Sequence, residues 1–97
     1  MRIQLIKKYF TKAERVFGRR LQEKRIPFKA KVKVNGREID FIVGVCAIDI
    51  DGHVQDGIKN EMLVRAGYIP VHYYNSEVNR INTNQIKKSC LLISPME

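Results

Sequence analysis

Three aspartates, Asp40, Asp49 and Asp51, lie within two apolar segments of a chain that is otherwise strongly basic. Carboxylates on neighbouring strands repel each other unless their pKa rises or a cation binds between them. A cluster of oxygen ligands selects a hard divalent ion such as Mg²⁺, with Mn²⁺ as a substitute, and water or phosphate oxygens complete the coordination. Because such an ion activates water and stabilises charge on a phosphate, these residues indicate phosphodiester hydrolysis.

The register of one hairpin decides whether the aspartates meet. Gly44 and Val45 fit a two-residue turn, which favours glycine at its first position. If the residues flanking this turn pair with each other, Asp40 stands directly opposite Asp49, and Asp51 joins them on the same side. In the alternative interpretation, Asp49 and Asp51 are surface acids, and Asp51 only begins a turn.

Positive charge is concentrated at the start of the chain. Of 97 residues, 18 are Lys or Arg and 10 are Asp or Glu, which gives a net charge of +8. Residues 1–33 contain twelve of these basic residues and only two of the acids. This distribution is typical of a surface that binds a polyanion such as DNA, whereas a basic face that only aids solubility is the alternative. The predicted DNA contacts are Lys12, Arg15, Arg19, Arg20, Lys31 and Lys33.

The composition predicts one soluble globular domain over residues 1–97, since 44% of the chain is hydrophobic. No apolar run approaches the roughly 20 residues that a membrane helix needs, and the first residues lack the apolar core of a signal peptide. We therefore expect a cytoplasmic protein that does not bind membranes. Cys46 and Cys90 lie far apart without a CxxC motif, so in a reducing compartment we expect two free core thiols.

Periodicity and turn signals predict the order helix, three-stranded meander, helix, strand, helix. Thr11 and Glu14 fit a capping box at the start of the first helix, and Pro27 is expected to end that helix. Pro70 favours an edge position, or the first residues, of the last strand. The predicted helices cover residues 11–25, 56–66 and 75–88, and the predicted strands cover residues 29–34, 38–43, 46–51 and 68–74.

Two of these elements carry a finer prediction. Residues 29–34 alternate lysine with apolar residues, which predicts a strand with one wet face. In the second helix, one apolar side is predicted to contain Ile58, Met62, Leu63 and Ala66.

Five short blocks of the chain carry a resemblance to a known group of enzymes. They are EIDFIV from Glu38, AIDIDGH from Ala47, DGIK from Asp56, AGYIPVHYYN from Ala66, and the pair EV at Glu77. Together they resemble the small nucleases related to the very-short-patch repair endonuclease, within the PD-(D/E)XK, or restriction-endonuclease-like, superfamily. The resemblance covers about residues 14–78 and implies an α/β fold, an α+β sandwich with a restriction-endonuclease-like core.

The resemblance also implies roles for individual residues. Asp40 resembles the first metal-binding aspartate of the superfamily, and Asp49 stands where the related nucleases more often have Glu. The usual lysine two residues later is replaced by Asp51, and in the resembling branch an acid followed by Gly and His is common there. His53 would donate a proton to the leaving oxygen or position water, or is simply a solvated loop residue.

Four further positions resemble parts of the same site. Asp56 and Lys59 resemble a D-x-x-[RK] pair, in which Lys59 would supply the cation that Asp51 displaced; alternatively Asp56 caps the second helix. Glu14 resembles an acid that the first helix directs into the site, but its capping-box role competes with that position. His72 stands where the branch often has a basic residue in the fourth strand.

The residues and the resemblance together predict a Mg²⁺-dependent DNA endonuclease of a repair, restriction or mobile-element system. Asp40 and Asp49 would hold the metal, and the basic surface of residues 1–33 would bind the DNA backbone. A homodimer or a larger partner protein would supply any sequence specificity. The alternative, favoured by the missing lysine and the shorter second acid, is a nucleic-acid-binding protein that retains the fold without catalysis.

Overall fold

The computed structural model describes residues 9–51 and 57–91, with Asp51 described by its backbone alone. The predicted α+β class is confirmed: four strands form one mixed sheet in the order β1-β2-β3-β4. The first three strands are antiparallel, and β4 runs parallel to β3 at the sheet edge. Among the described helices, none is long and apolar enough to cross a membrane. The elements are α1 (Lys12–Glu23), β1 (Lys29–Val34), β2 (Arg37–Val43), β3 (Cys46–Asp51), α2 (Gly57–Arg65), β4 (Ile69–Tyr74), a 3₁₀ turn (Asn75–Glu77), α3 (Thr83–Ile86) and a π-helical turn (Lys87–Leu91).

Helix α1 begins with the predicted capping box. The Thr11 hydroxyl accepts from the Glu14 amide at 3.1 Å, and the Glu14 carboxylate accepts from the Thr11 amide at 3.0 Å. The helix ends earlier than Pro27, because Arg25 adopts a left-handed conformation with a φ of 55°. The amide of Ile26 then donates to the Leu21 carbonyl, which closes a Schellman motif before the proline is reached.

Both predicted hairpins are present, with the predicted register in the second. Gly44 has a φ of 56°, as a turn with glycine first requires. Across this turn Val43 pairs with Cys46, and two residues further along Phe41 pairs with Ile48. The hairpin therefore directs Asp40 and Asp49 towards each other.

Each face of the sheet packs on a different helix. On one face Phe17 and Leu21 of α1 contact the larger core cluster, which includes Phe41, Ile48 and Ile50. On the other face Leu63 of α2 packs with Ile39, Ile42 and Ala47. The structure is thus a layer of sheet between α1 and α2, and the strands must present apolar side chains to both sides.

Strands β1 and β2 change face at the same point. Ala30 packs with the α1 cluster, whereas Val32 packs with the α2 cluster, although residues two apart in a regular strand share a face. The residue between them, Lys31, has a φ of 54°. The pairing of β1 with β2 passes over Lys31 and Asp40. The prediction that Lys31 lies on a wet face is therefore wrong, because the pleat is interrupted there.

The predicted helix over residues 75–88 is not continuous. A 3₁₀ turn covers Asn75–Glu77, and a new helix starts only at Thr83. The Asn82 side chain accepts from the Gln85 amide at 3.2 Å and so caps this second piece. Asn82 therefore marks a helix start inside the segment that was predicted as one helix.

Two further sequence predictions need correction. Cys46 and Cys90 are joined in a disulfide, with their Cα atoms 5.4 Å apart, so the expected free thiols are not present in the structure. The physical reason is packing: the chain after α3 returns to the β2–β3 turn, where the Val45 amide donates to the Cys90 carbonyl. In α2, Ile58 is 74% exposed and does not share the buried side that Leu63 provides.

Candidate active site

Asp40 and Asp49 contact each other where the β2–β3 backbone ladder ends. Beyond the Phe41–Ile48 pair, carboxylates replace carbonyls as the acceptors between the two strands. The Asp40 amide donates to Asp49 Oδ1 at 3.1 Å, and the Ile50 amide donates to Asp40 Oδ2 at 2.9 Å. Both side chains are only partly exposed, at 15% for Asp40 and 17% for Asp49. The predicted juxtaposition of the two acids is present, through side chain to backbone hydrogen bonds.

Helix α1 contributes a third carboxylate through a lysine. Lys31 Nζ lies 3.0 Å from Glu14 Oε1 and 3.1 Å from Asp40 Oδ1, so one ammonium bridges two acids. The same Glu14 oxygen also accepts from the Thr11 amide. The capping box and the position in the cluster are therefore compatible, although the sequence analysis treated them as competing.

Helix α2 contributes a second lysine. Lys59 Nζ lies 2.8 Å from Asp49 Oδ2, and both side chains are less than one fifth exposed. This contact brings a cation to the second acid from an element other than the strand that carries it. The structure thus joins Glu14, Lys31, Asp40, Asp49 and Lys59 in one continuous ionic network between α1 and α2.

Burial changes the charge balance of this network. Desolvation raises the pKa of Asp40 to about 6, although the Ile50 amide and the ammonium of Lys31 oppose the increase. Desolvation alone would lower the pKa of Lys31, but its hydrogen bond to Glu14 and the nearby charge of Asp40 outweigh that effect, so its pKa is raised. Lys31 therefore stays charged at neutral pH. Any cation held beside Asp40 stabilises the ionised form of its carboxyl group.

The remaining predicted site residues lie at the β4 side of the sheet or outside the described part. His72 pairs in register with Asp49 on the neighbouring strand, and its ring packs edge-on against Tyr74. The backbone of Asp51 in β3 pairs with that of Tyr74 in β4. His53 and Asp56 lie outside the described residues.

The six predicted DNA contacts fall into two groups. Lys12, Arg19 and Lys33 are exposed. The others make internal contacts: Arg15 donates to the Phe10 carbonyl at 3.2 Å, Arg20 donates to the Val78 carbonyl at 2.7 Å, and Lys31 belongs to the ionic network.

The donor set is compatible with a magnesium ion. Mg²⁺ binds through one or two carboxylates together with water and phosphate oxygens, and Asp40 and Asp49 would supply the two carboxylates. Among the side chains described, those of residues 9–50 and 57–91, no three acids, histidines or cysteines are grouped to hold a metal by themselves. All four oxygens of the two aspartates already accept from protein groups, so an added cation would share or displace an ammonium.

Sequence reasoning placed Lys31 on the DNA-binding surface and missed its position among the acids. The signal available in the sequence was the lysine at the β1 position that faces Asp40 in the hairpin. That signal is weak, because Lys29 and Lys33 continue the same alternation.

A comparison with solved structures identifies one with a similar fold. It is titled "Homing Endonuclease I-Bth0305I Catalytic Domain"; the superposition has a TM-score of 0.64 at 25% sequence identity and covers 81% of this chain and 93% of that one. No protein-family model matches the chain, and no curated protein matches it significantly. The protein therefore has an endonuclease-like α/β fold, with a cluster of acids and lysines where the sheet ladder is interrupted.

Proposed function

We propose that this protein is a metal-dependent DNA endonuclease of the PD-(D/E)XK superfamily. The observation that carries the proposal is the contact between Asp40 and Asp49, with Lys59 at 2.8 Å from the second acid. Support comes from the similar fold of a homing endonuclease catalytic domain. Two half-buried acids can hold a divalent ion that activates water for phosphodiester hydrolysis, and the lysine adds positive charge beside them.

In this proposal Asp40 and Asp49 hold a Mg²⁺ ion, for which Mn²⁺ can substitute. When bound, the ion supplies Lewis-acid stabilisation of the phosphate and lowers the pKa of a water molecule. Lys59 pairs with Asp49 at 2.8 Å and would provide positive charge close to the phosphate. The Asp40 and Ile50 amides donate to carboxylate oxygens of Asp49 and Asp40, and these hydrogen bonds orient both acids.

The exposed basic residues Lys12, Arg19 and Lys33 would bind the phosphate backbone. His53, Asp56 and His72 are proposed to assist around the ion and the leaving oxygen. The described part of a single chain presents one such acid cluster, so simultaneous cleavage of both strands would take a second copy or a partner protein. A cytoplasmic location remains part of the proposal, although a disulfide such as Cys46–Cys90 is rare in reducing compartments.

Nicking of a supercoiled plasmid tests the proposal. Wild-type protein should nick in Mg²⁺ or Mn²⁺ and should be inactive in EDTA. Asp40→Asn and Asp49→Asn should each lower the rate by at least about 100-fold, because each removes a charged metal ligand. Glu38→Gln is the matched control, since Glu38 is an exposed acid on the same strand as Asp40 and should be dispensable. Equal nicking by wild type and both aspartate variants would reveal a contaminating nuclease and refute the proposal.

The second candidate is a nucleic-acid-binding protein without catalysis. It is favoured by the internal hydrogen bonds that already engage all four oxygens of Asp40 and Asp49. DNA binding by the wild type without cleavage in either metal would support this candidate over the enzyme.

A further inference from the structure

We propose that Lys31 is the internal counterion of the acid cluster and not a contact to the DNA backbone. It is a positioning residue, and it competes with a divalent cation for Asp40. The inference rests on the proposed function in one respect, namely that the cluster binds a divalent cation. It assigns to Lys31 a role that the sequence pattern of β1 does not indicate.

The ammonium of Lys31 lies where the metal ion of the cluster is proposed to bind. Lys31 Nζ lies 3.0 Å from Glu14 Oε1 and 3.1 Å from Asp40 Oδ1, which places one positive charge between two carboxylates. A divalent cation bound to Asp40 would occupy space beside the same oxygen. Because like charges at such distances repel strongly in a partly buried site, the ammonium and the metal must compete.

The backbone of β1 is irregular at Lys31. Lys31 has a φ of 54°, a left-handed conformation that lysine rarely adopts. Lys29 and Lys33, its neighbours in the alternation, are both exposed, whereas Lys31 is turned towards α1. The unfavourable backbone conformation directs this ammonium into the cluster. A lysine that only contacts DNA would not need such a conformation.

The Lys31 side chain is not fully enclosed by the cluster. The Lys31 side chain retains 24% exposure and its ammonium lies 5.3 Å from the centre of the Phe10 ring. A lysine side chain has four rotatable bonds, so its charge can leave Asp40 while the stem stays packed. The counterion can thus yield to a stronger cation without unfolding the site.

Titration of Mn²⁺ into metal-free protein, followed by calorimetry, tests the inference without any activity measurement. Lys31→Gln keeps a hydrogen-bond donor but removes the charge, and we expect it to bind Mn²⁺ at least about threefold more tightly than wild type. Lys31→Arg keeps the charge and should bind Mn²⁺ no more tightly than wild type. A purely structural loss would weaken Mn²⁺ binding, so tighter binding separates the two explanations. Urea unfolding verifies that each variant is folded.

Binding of duplex DNA in EDTA provides the second readout. Lys31→Gln should leave the affinity and its salt dependence unchanged, whereas the exposed control Lys33→Gln should lower both. Loss of DNA affinity in Lys31→Gln equal to that in Lys33→Gln would overturn the inference, as would unchanged or weaker Mn²⁺ binding. Absence of Mn²⁺ binding in every variant would also overturn it. Tight Mn²⁺ binding without plasmid nicking would refute the endonuclease proposal alone.

Discussion

The amide of Asp40 donates to the carboxylate of Asp49 at 3.1 Å, so each acid is fixed by the strand that carries the other. The Ile50 amide completes the exchange by donating to Asp40 at 2.9 Å. This arrangement replaces a rung of the ladder between β2 and β3 with two carboxylates. The acids are consequently held by backbone amides between the two central strands, and their burial is expected to affect stability.

The stability of the protein should depend on pH through Asp40. Its pKa is raised from 3.8 to about 6 on folding, so the folded state binds the proton more tightly than the unfolded state. The stabilising contribution of protonation is complete below the unfolded pKa and is lost as the pH rises through about 6. At neutral pH the ionised carboxylate therefore costs up to about 3 kcal/mol.

Asp40→Asn removes this cost. We expect the free energy of unfolding of the variant, relative to wild type, to be higher at about pH 8 than at about pH 4, by up to about 3 kcal/mol. Urea unfolding at both pH values measures the difference. Glu38→Gln, at an exposed position of the same strand, should show a much smaller change between the two pH values. A relative stability of Asp40→Asn that is independent of pH would contradict the prediction.

Lys59 should matter to stability far more than an ordinary surface lysine. Its ammonium lies 2.8 Å from Asp49 with both side chains largely buried, so Lys59→Met leaves a half-buried carboxylate without its counterion. We expect a loss of about 2 kcal/mol in the free energy of unfolding. Arg65→Met on the same helix is the matched control, because its pair with Glu61 is exposed and should contribute less than about 0.5 kcal/mol. Equal losses in the two variants would show that Lys59 is not a counterion of the site.

The same substitution tests the catalytic part of the proposal. If Lys59 replaces the missing lysine, Lys59→Met should slow single-turnover cleavage by at least about 100-fold, and Lys59→Arg should recover part of the rate. Wild-type cleavage by Lys59→Met under conditions where it remains folded would assign Lys59 to structure alone.

The sequence predicted those parts of the fold that local chemistry determines. The capping box at Thr11 and the glycine turn at Gly44 each depend on a few adjacent residues, and both are present. The register that follows from the turn then places Asp40 near Asp49, because the two residues lie one position beyond the Phe41–Ile48 pair. The site was therefore predictable as far as one hairpin could determine it.

The sequence failed where distant contacts determine the backbone. Lys31 belongs to a regular alternation, and only the interrupted pairing opposite Asp40, together with Glu14 on α1, turns it inward. The final helix was predicted as one piece, because the sequence pattern does not show that the Asn82 side chain caps a new helix. The disulfide was missed because the expected compartment, rather than the distance between the cysteines, governed that prediction.

Gly44 should tolerate no side chain. Its φ of 56° is unfavourable for other residues, and a Cβ atom there would collide with the carbonyl of Cys90. We expect Gly44→Ala to lower the free energy of unfolding by more than about 2 kcal/mol. Gly36→Ala is the control, since its φ of 81° imposes similar backbone strain but a Cβ atom meets nothing within 4 Å. If the two variants lose the same stability, the C-terminal segment does not pack on the β2–β3 turn as described.

Arg19 and Arg20 should differ in DNA binding although they are adjacent in α1. Arg19 is exposed, whereas the Arg20 guanidinium donates to the Val78 carbonyl at 2.7 Å and so ties α1 to the segment after β4. We expect Arg19→Gln to weaken binding of duplex DNA and to reduce the salt dependence of log K by about 1, as for the loss of one phosphate contact. Arg20→Gln should instead lower the free energy of unfolding by about 2 kcal/mol, because it removes a charged hydrogen bond to a carbonyl.

Fluorescence anisotropy across a range of salt concentrations, in EDTA to prevent cleavage, measures the effect of Arg19→Gln on DNA binding. Urea unfolding measures the effect of Arg20→Gln on stability. A larger change in salt dependence for Arg20→Gln than for Arg19→Gln would mean that Arg20 leaves Val78 to bind DNA, and that the exposed face of α1 is not the surface that contacts the backbone.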